Sequence, residues 1–350
     1  MAGPGAVVTT FGLMPDGREV PAITLINRHG VRACVIAYGA TLQALLAPDR
    51  DGVLADIALG HADLDGYLET RQLLGATAGR VVNRIAGGRF VLDGVPYQLS
   101  TNDGEHLLHG GDVGFDRVLW DVVALDDGGS PAVTLRYVSP DGDQGFPGAV
   151  TATATYRLDD ANALTVEYRA TTDRPTIVNM TNHAYWNLAG EAAGSVGGHR
   201  LTIPAERYLP VDDRFLPTGE KRAVAGTRHD FRHPRPIGAP ETAGEGYDNN
   251  FIIGDAVAAE PRLMGRLEEP GSGRVLEVWS NQPGVQLYTG NFLDGSTRGK
   301  TGRMYQRGDA VSLEPQLFPD APNRPDFPPI TLAAGETYRN VIAFRFGVGN

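Results

Sequence analysis

Apolar and polar residues alternate along most of this chain in short runs, and turn residues separate the runs. Val150 to Leu158 is apolar at every second position, the pattern of a strand with one buried face. Further strands are expected at Ala22 to Ile26, Val31 to Ile36, Leu119 to Val123, Val133 to Val138, Leu164 to Thr171 and Leu201 to Ile203. Others fall at Leu276 to Trp279, Val285 to Tyr288, Val311 to Leu313 and Val341 to Phe346. Phe90-Val91-Leu92 and Tyr97-Gln98-Leu99 flank Asp93-Gly94, a pair that takes the positive φ angles of a tight hairpin turn at little cost. Asp127-Gly128-Gly129, Pro140-Asp141-Gly142 and Asp159 to Asn162 punctuate other runs. Helical spacing is scarce: Asp63 to Leu68 fits a short helical turn, and Arg71 to Ala78 a second. Strand-turn-strand repetition without an interposed helix predicts antiparallel sheets and argues against a doubly wound nucleotide fold. No linker-like Gly/Ser or charge run interrupts the chain, so residues 1–350 are read as one domain.

Composition narrows the partners. The 350 residues are 41% hydrophobic and 21% charged, a globular balance, and the net charge of -11 with no basic run disfavours a nucleic-acid partner. The 24 prolines and 45 glycines imply many irregular loops, above all Asp212 to Asn250 and Phe318 to Pro329. Cys34 is the single cysteine and has no partner for an intrachain disulfide. The first ten residues lack a basic segment ahead of an apolar one, and no apolar stretch approaches membrane-spanning length. The expectation is a cytoplasmic protein with no membrane partner, monomeric or homodimeric.

One stretch concentrates unusual chemistry. Thr181-Asn182-His183-Ala184-Tyr185-Trp186-Asn187-Leu188 packs an imidazole, two amides and two aromatics into eight residues. Aromatic faces suit the C–H faces of a pyranose, amides fix hydroxyls, and imidazole titrates near neutrality. Taken alone, His183 fits a satisfied core histidine equally well. Four other stretches share this character. Asn83 and Arg84 sit among apolar residues, where an arginine needs a partner or a ligand. His109 precedes Gly110-Gly111, which would let backbone approach a ligand closely. Asp248, in Gly246 to Phe251, offers a carboxylate beside amides, though Asp and Asn are also ordinary turn residues. Gln286 and Tyr288 alternate onto one strand face, and Glu314 ends the apolar run Val311-Ser312-Leu313 in a carboxylate. A phosphate loop at Gly295 to Thr301 is one residue short of its pattern, and Pro234 and Pro236 spoil a helical zinc motif from His229 and His233. No metal or cofactor is expected.

In this order and spacing, the stretches resemble the galactose mutarotase (aldose 1-epimerase) family. The likeness runs from about Gly12 to the end and is densest at Gly79 to Ile85, His109 to Gly111, Asn182 to Leu188, Gln282 to Gly295 and Leu313 to Pro329. It implies an all-β fold, a large antiparallel β-sandwich with few short helices and the sugar in an open cleft. It also implies that His183 is the general acid and Glu314 the general base. Asn83, Arg84, His109, Asp248 and Gln286 would bind the substrate, a small free aldose. The chain departs from the family pattern at Trp186, where a smaller aromatic is common, and at Asn249, where His is frequent; either could alter sugar preference.

The implied reaction interconverts α and β anomers of an aldohexose or aldopentose. A base takes the C1 hydroxyl proton, an acid protonates the ring oxygen, the open aldehyde rotates about C1–C2, and the ring recloses. His183, with a reference pKa of roughly 6.5, would serve as acid with little tuning, and desolvation would raise the basicity of Glu314. Two alternatives use the same sandwich: a glycoside hydrolase or lyase working with Asp248 and Glu314 as a carboxylate pair, and a non-catalytic sugar-binding protein.

Overall fold

A computed structural model describes residues 3–238 and 245–349, and the expected long loop from Asp212 to Asn250 therefore lies partly outside the described residues at 239–244. Three antiparallel sheets carry the architecture. The first is an N-terminal meander of Gly5–Leu13, Glu19–Ile26, Arg32–Ile36, Thr41–Pro48 and Leu54–Asp56. The largest has nine strands and a core of Ala132–Ser139, Val150–Leu158, Ala163–Thr172, Tyr338–Val348 and Arg274–Ser280 in that spatial order. The third orders Arg222–Ala223, Arg207–Leu209, Asp248–Ile252, Gly284–Tyr288 and Ser312–Gln316.

Local sequence explains the large sheet. In Val150–Leu158 the apolar positions are buried, while Thr151 and Arg157 are exposed. Its turn into Ala163–Thr172 is set by Asp159, whose carboxylate accepts the backbone N–H groups of Ala161 and Ala163 at 2.9 Å each. The Asp93-Gly94 hairpin forms as expected, with φ of 50° and 79° at the two turn residues. The third sheet differs because both faces are covered: every residue of Gly284–Tyr288 and Ser312–Gln316 is buried.

Two expectations need correction. Asp63 caps the short helix Leu64–Glu69 as anticipated, but Arg71 to Ala78 is not helical. Leu73 and Gly75 take φ of 51° and 75°, outside the helical region, and only Thr77–Ala78 is regular, as a strand. Glu314 does not end its strand: it stands at the middle of Ser312–Gln316.

The stretch from Thr181 to Leu188 threads between sheets. Thr181 and Asn182 pair with Ala78 and Thr77, the backbone of His183 bonds to Ala76 and Gly75 at 2.9 and 3.0 Å, and Trp186 pairs with Val311 on both sides at 2.8 and 3.0 Å. Trp186 is fully buried and meets the rings of Phe344 and Phe346 edge-on at 5.0 and 5.6 Å. It belongs to the core and carries no sugar-facing surface. The imidazole is thus held by backbone pairing on both flanks and anchored by a large aromatic three residues away.

Candidate active site

The register of the third sheet assembles the polar face. Asp248 stands opposite Tyr288, and Asn250, Gln286 and Glu314 lie in one row across three strands. Side chains at paired and alternate positions share a face, so Asp248, Gln286, Tyr288 and Glu314 project together. Above them sit His183, Tyr185, Asn83, Arg84 and His109, and the group encloses a cavity of about 220 Å³ with Arg71, Gln72, Leu73, Leu108 and Phe292. At roughly 30 Å³ per water that is room for about seven waters, the scale of one monosaccharide. The expected site residues therefore converge on a single cavity.

His183 and Glu314 meet in this cavity, with Nε2 3.5 Å from Oε1. The other atom of each pair, His183 Nδ1 and Glu314 Oε2, is buried without a hydrogen-bond partner in the chain, as is Gln286 Oε1. Burial pushes the His183 imidazole down to about 4, and burial with the nearby Asp248 pushes the Glu314 carboxyl well above the usual range. The expectation that His183 needs little tuning is therefore corrected: desolvation disfavours its charged form.

His109 is placed by its neighbour. Asn83 takes φ 63°, its backbone N–H donates to His109 Nδ1 at 3.3 Å, its carbonyl accepts from the His109 N–H at 3.1 Å, and its side-chain oxygen accepts from the Arg84 N–H at 2.9 Å. With Nδ1 accepting, the neutral ring of His109 carries its proton on Nε2. Burial above all, and then the neighbouring His183, Arg71 and Arg84, hold this ring well below the ordinary imidazole range, so it is neutral at pH 7. Neither Gly110 nor Gly111 lines the cavity; a Cβ on Gly110 would lie 1.9 Å from the Gly79 carbonyl oxygen, so glycine there permits close passage of two backbone segments.

Arg84 has a protein partner, with Nε 2.7 Å from Asp103, and its Nη1 lies 4.0 Å from Asp248. Asp248 in turn accepts from Gln286 Nε2 at 2.7 Å. Burial raises the Asp248 carboxyl, opposed by Arg84 and Gln286.

Several residues of the central stretch have other duties. The Asn182 amide donates to Gly75 and Tyr156, and that of Asn187 to the carbonyls of Gly194 and Asp309, and neither residue lines the cavity. Tyr185 is the aromatic that faces the cavity, stacked on His183. Asn249 points to the opposite face of its strand from Asp248 and bonds His229 at 3.0 Å. Lys300 of the phosphate-loop lookalike is spent on the carbonyls of Gln43 and Ala58 and on Asp56. Sequence reasoning missed Arg71, Phe215 and Asp103. Arg71 grips Asp116 through two bonds of 3.0 Å and Phe215 lies under the Arg84 guanidinium at 4.9 Å; only an unpaired arginine in an apolar run hinted that such partners exist.

Comparison with known proteins agrees with this architecture. The sequence profile of the aldose 1-epimerase family matches residues 21–345. A galactose mutarotase from Bos taurus is 44% identical over 97% of both chains, and an aldose 1-epimerase from Escherichia coli K12 is 37% identical over 96% of this chain and 98% of that one. A solved aldose epimerase homologue from C. elegans superposes with a TM-score of 0.87 at 33% identity, covering 95% of this chain and all of the other. The chain belongs to the aldose 1-epimerase family. It is an isomerase of the mutarotase type, acting on a sugar.

Proposed function

We propose that this protein interconverts the anomers of a free aldohexose or aldopentose, with Glu314 taking the C1 hydroxyl proton and His183 protonating the ring oxygen. One observation carries the assignment: an imidazole and a carboxylate 3.5 Å apart, each with a further buried atom lacking a partner, in a monosaccharide-sized cavity.

The ionisation of His183 and Glu314 fits the reaction when the pair is counted together. Neutral His183 with protonated Glu314 holds one proton, and so does imidazolium with carboxylate. Burial favours the first arrangement. A C1 hydroxyl donating to Glu314 and a ring oxygen accepting from His183 stabilise the second, because hydrogen bonds to a charged form favour that form. The proton is therefore moved within the pair, and the acid and base appear together when the sugar arrives. Each well-placed group of this kind contributes on the order of 10²–10⁴-fold.

The remaining residues hold the sugar. The 4.0 Å between Arg84 and Asp248 exceeds a hydrogen bond, so a hydroxyl can bridge a donor on one side and an acceptor on the other. Gln286 and the Nε2–H of His109 supply further polar contacts, and Asn83 positions His109 and Arg84. The reading includes one domain, monomeric or homodimeric, in the cytoplasm. A single cysteine supports that location, and among the described residues no helix is long and apolar enough to cross a membrane. Polarimetry of freshly dissolved α-D-galactose, α-D-glucose and α-D-xylose tests the activity: accelerated approach to anomeric equilibrium is expected, and no acceleration with any aldose by folded protein overturns it.

A further inference from the structure

Arg84 stands between two carboxylates and pairs closely with only one. Its Nε meets Asp103 at 2.7 Å, while Nη1 remains 4.0 Å from Asp248. A guanidinium beside a half-buried carboxylate ordinarily closes on it with two parallel bonds. Here that collapse would fill the gap that a sugar hydroxyl needs.

Two features oppose it. Asp103 belongs to a tight turn in which its backbone N–H and carbonyl both bond His106, at 3.1 and 3.0 Å, so its carboxylate is a fixed anchor. Phe215 covers the guanidinium face, with the carbon 4.9 Å from the ring centroid, and itself meets Phe292 edge-on at 5.7 Å. Anchored at Nε and covered on one face, the fork cannot swing. Asp248 is held from its other oxygen by Gln286 at 2.7 Å.

We infer that Asp103, seated against Phe215-covered Arg84, is a positioning residue that keeps the Arg84–Asp248 gap open for a sugar hydroxyl. It touches no substrate and acts through Arg84. Without its charge, Arg84 is drawn toward Asp248, and the sugar must then displace a salt bridge in order to bind. Binding weakens, whereas the acid–base pair is untouched. The side chain of Asp103 is 38% exposed, so its replacement opens no buried cavity.

This inference rests on the mutarotase reading for turnover but not for binding, so both are measured. Asp103→Asn and Asp103→Ala are expected to raise KM for galactose by about tenfold, the scale of one charge-assisted hydrogen bond, with kcat within about twofold. The calorimetric Kd for galactose weakens in parallel, and it reports even if wild-type protein turns nothing over, which would count against the mutarotase reading alone. Asp103→Glu restores much of the loss. In an Asp248→Asn background, where no salt bridge can form, removing Asp103 costs markedly less, and that non-additivity distinguishes action through the gap from a general disturbance. Unchanged Kd in Asp103→Asn, an equal loss in both backgrounds, or a fall in kcat at constant KM overturns the proposal.

Discussion

The imidazole of His183 lies against the phenol ring of Tyr185, with centroids 4.9 Å apart and planes 24° apart. The stack helps to orient Nε2 toward Glu314 and forms part of the burial that depresses the imidazole pKa. Tyr185→Phe retains both effects and is expected to keep kcat within about threefold, whereas Tyr185→Ala admits water and frees the ring, lowering kcat by about tenfold or more. Equal kcat for the alanine and phenylalanine variants would show that the stack is dispensable.

Activity should depend on pH through the proton count of the pair. Adding a second proton means charging His183 beside a still-protonated Glu314, a step that burial has pushed down to about 4. Losing the shared proton removes the acid, and the raised Glu314 carboxyl moves that limb upward. The profile of kcat/KM, which reports the free enzyme, should thus stay level through the region near pH 6.5 where an ordinary histidine titrates, and fall on the acid side only near pH 4. An acid limb centred near pH 6.5 would show that His183 is not desolvated as described.

Asp248 separates the mutarotase from a hydrolase. Asp248 is tied to Gln286 and faces Arg84; on the proposal that it binds the sugar, its conversion to Asn should raise KM about tenfold or more while leaving most of kcat. A carboxylate needed in the chemistry would instead lose kcat by orders of magnitude, and glycan hydrolysis would vanish with it.

Much of this arrangement was legible in the sequence, for physical reasons. Val150–Leu158 alternates because only one face is buried, and Asp93-Gly94 announces its turn because few residues accept those φ angles. His183, Glu314 and the five ligand candidates were found as short polar stretches, and their convergence required a register that no single stretch encodes. Asp248–Ile252 was hidden as a strand because Asp and Asn are depleted in strands, and its polarity serves the cavity instead. Trp186 was misjudged because an aromatic beside His183 looks the same in sequence whether it faces a sugar or Phe344. Asp103 and Phe215 were invisible: they reach Arg84 from 19 and 131 positions away, and only the fold brings them there.

The core role of Trp186 gives a stability prediction. Trp186→Ala should lower unfolding free energy by about 3–5 kcal/mol. Trp186→Phe should cost much less, since the indole N–H has no hydrogen-bond partner to lose. Urea titration measures both. The ratio of kcat/KM for galactose and glucose should not change in the phenylalanine variant, and a changed ratio would return Trp186 to the site.

On the proposed mechanism, His183 and Glu314 act as one acid–base pair. Polarimetry of α-D-galactose with wild type, His183→Asn, Glu314→Gln and the double variant tests it most directly. Each single variant is expected to lose at least about 10²-fold in kcat, and the double variant to be scarcely worse than either, because half a pair moves no proton. Near-native turnover by Glu314→Gln or by His183→Asn in a folded protein would contradict it.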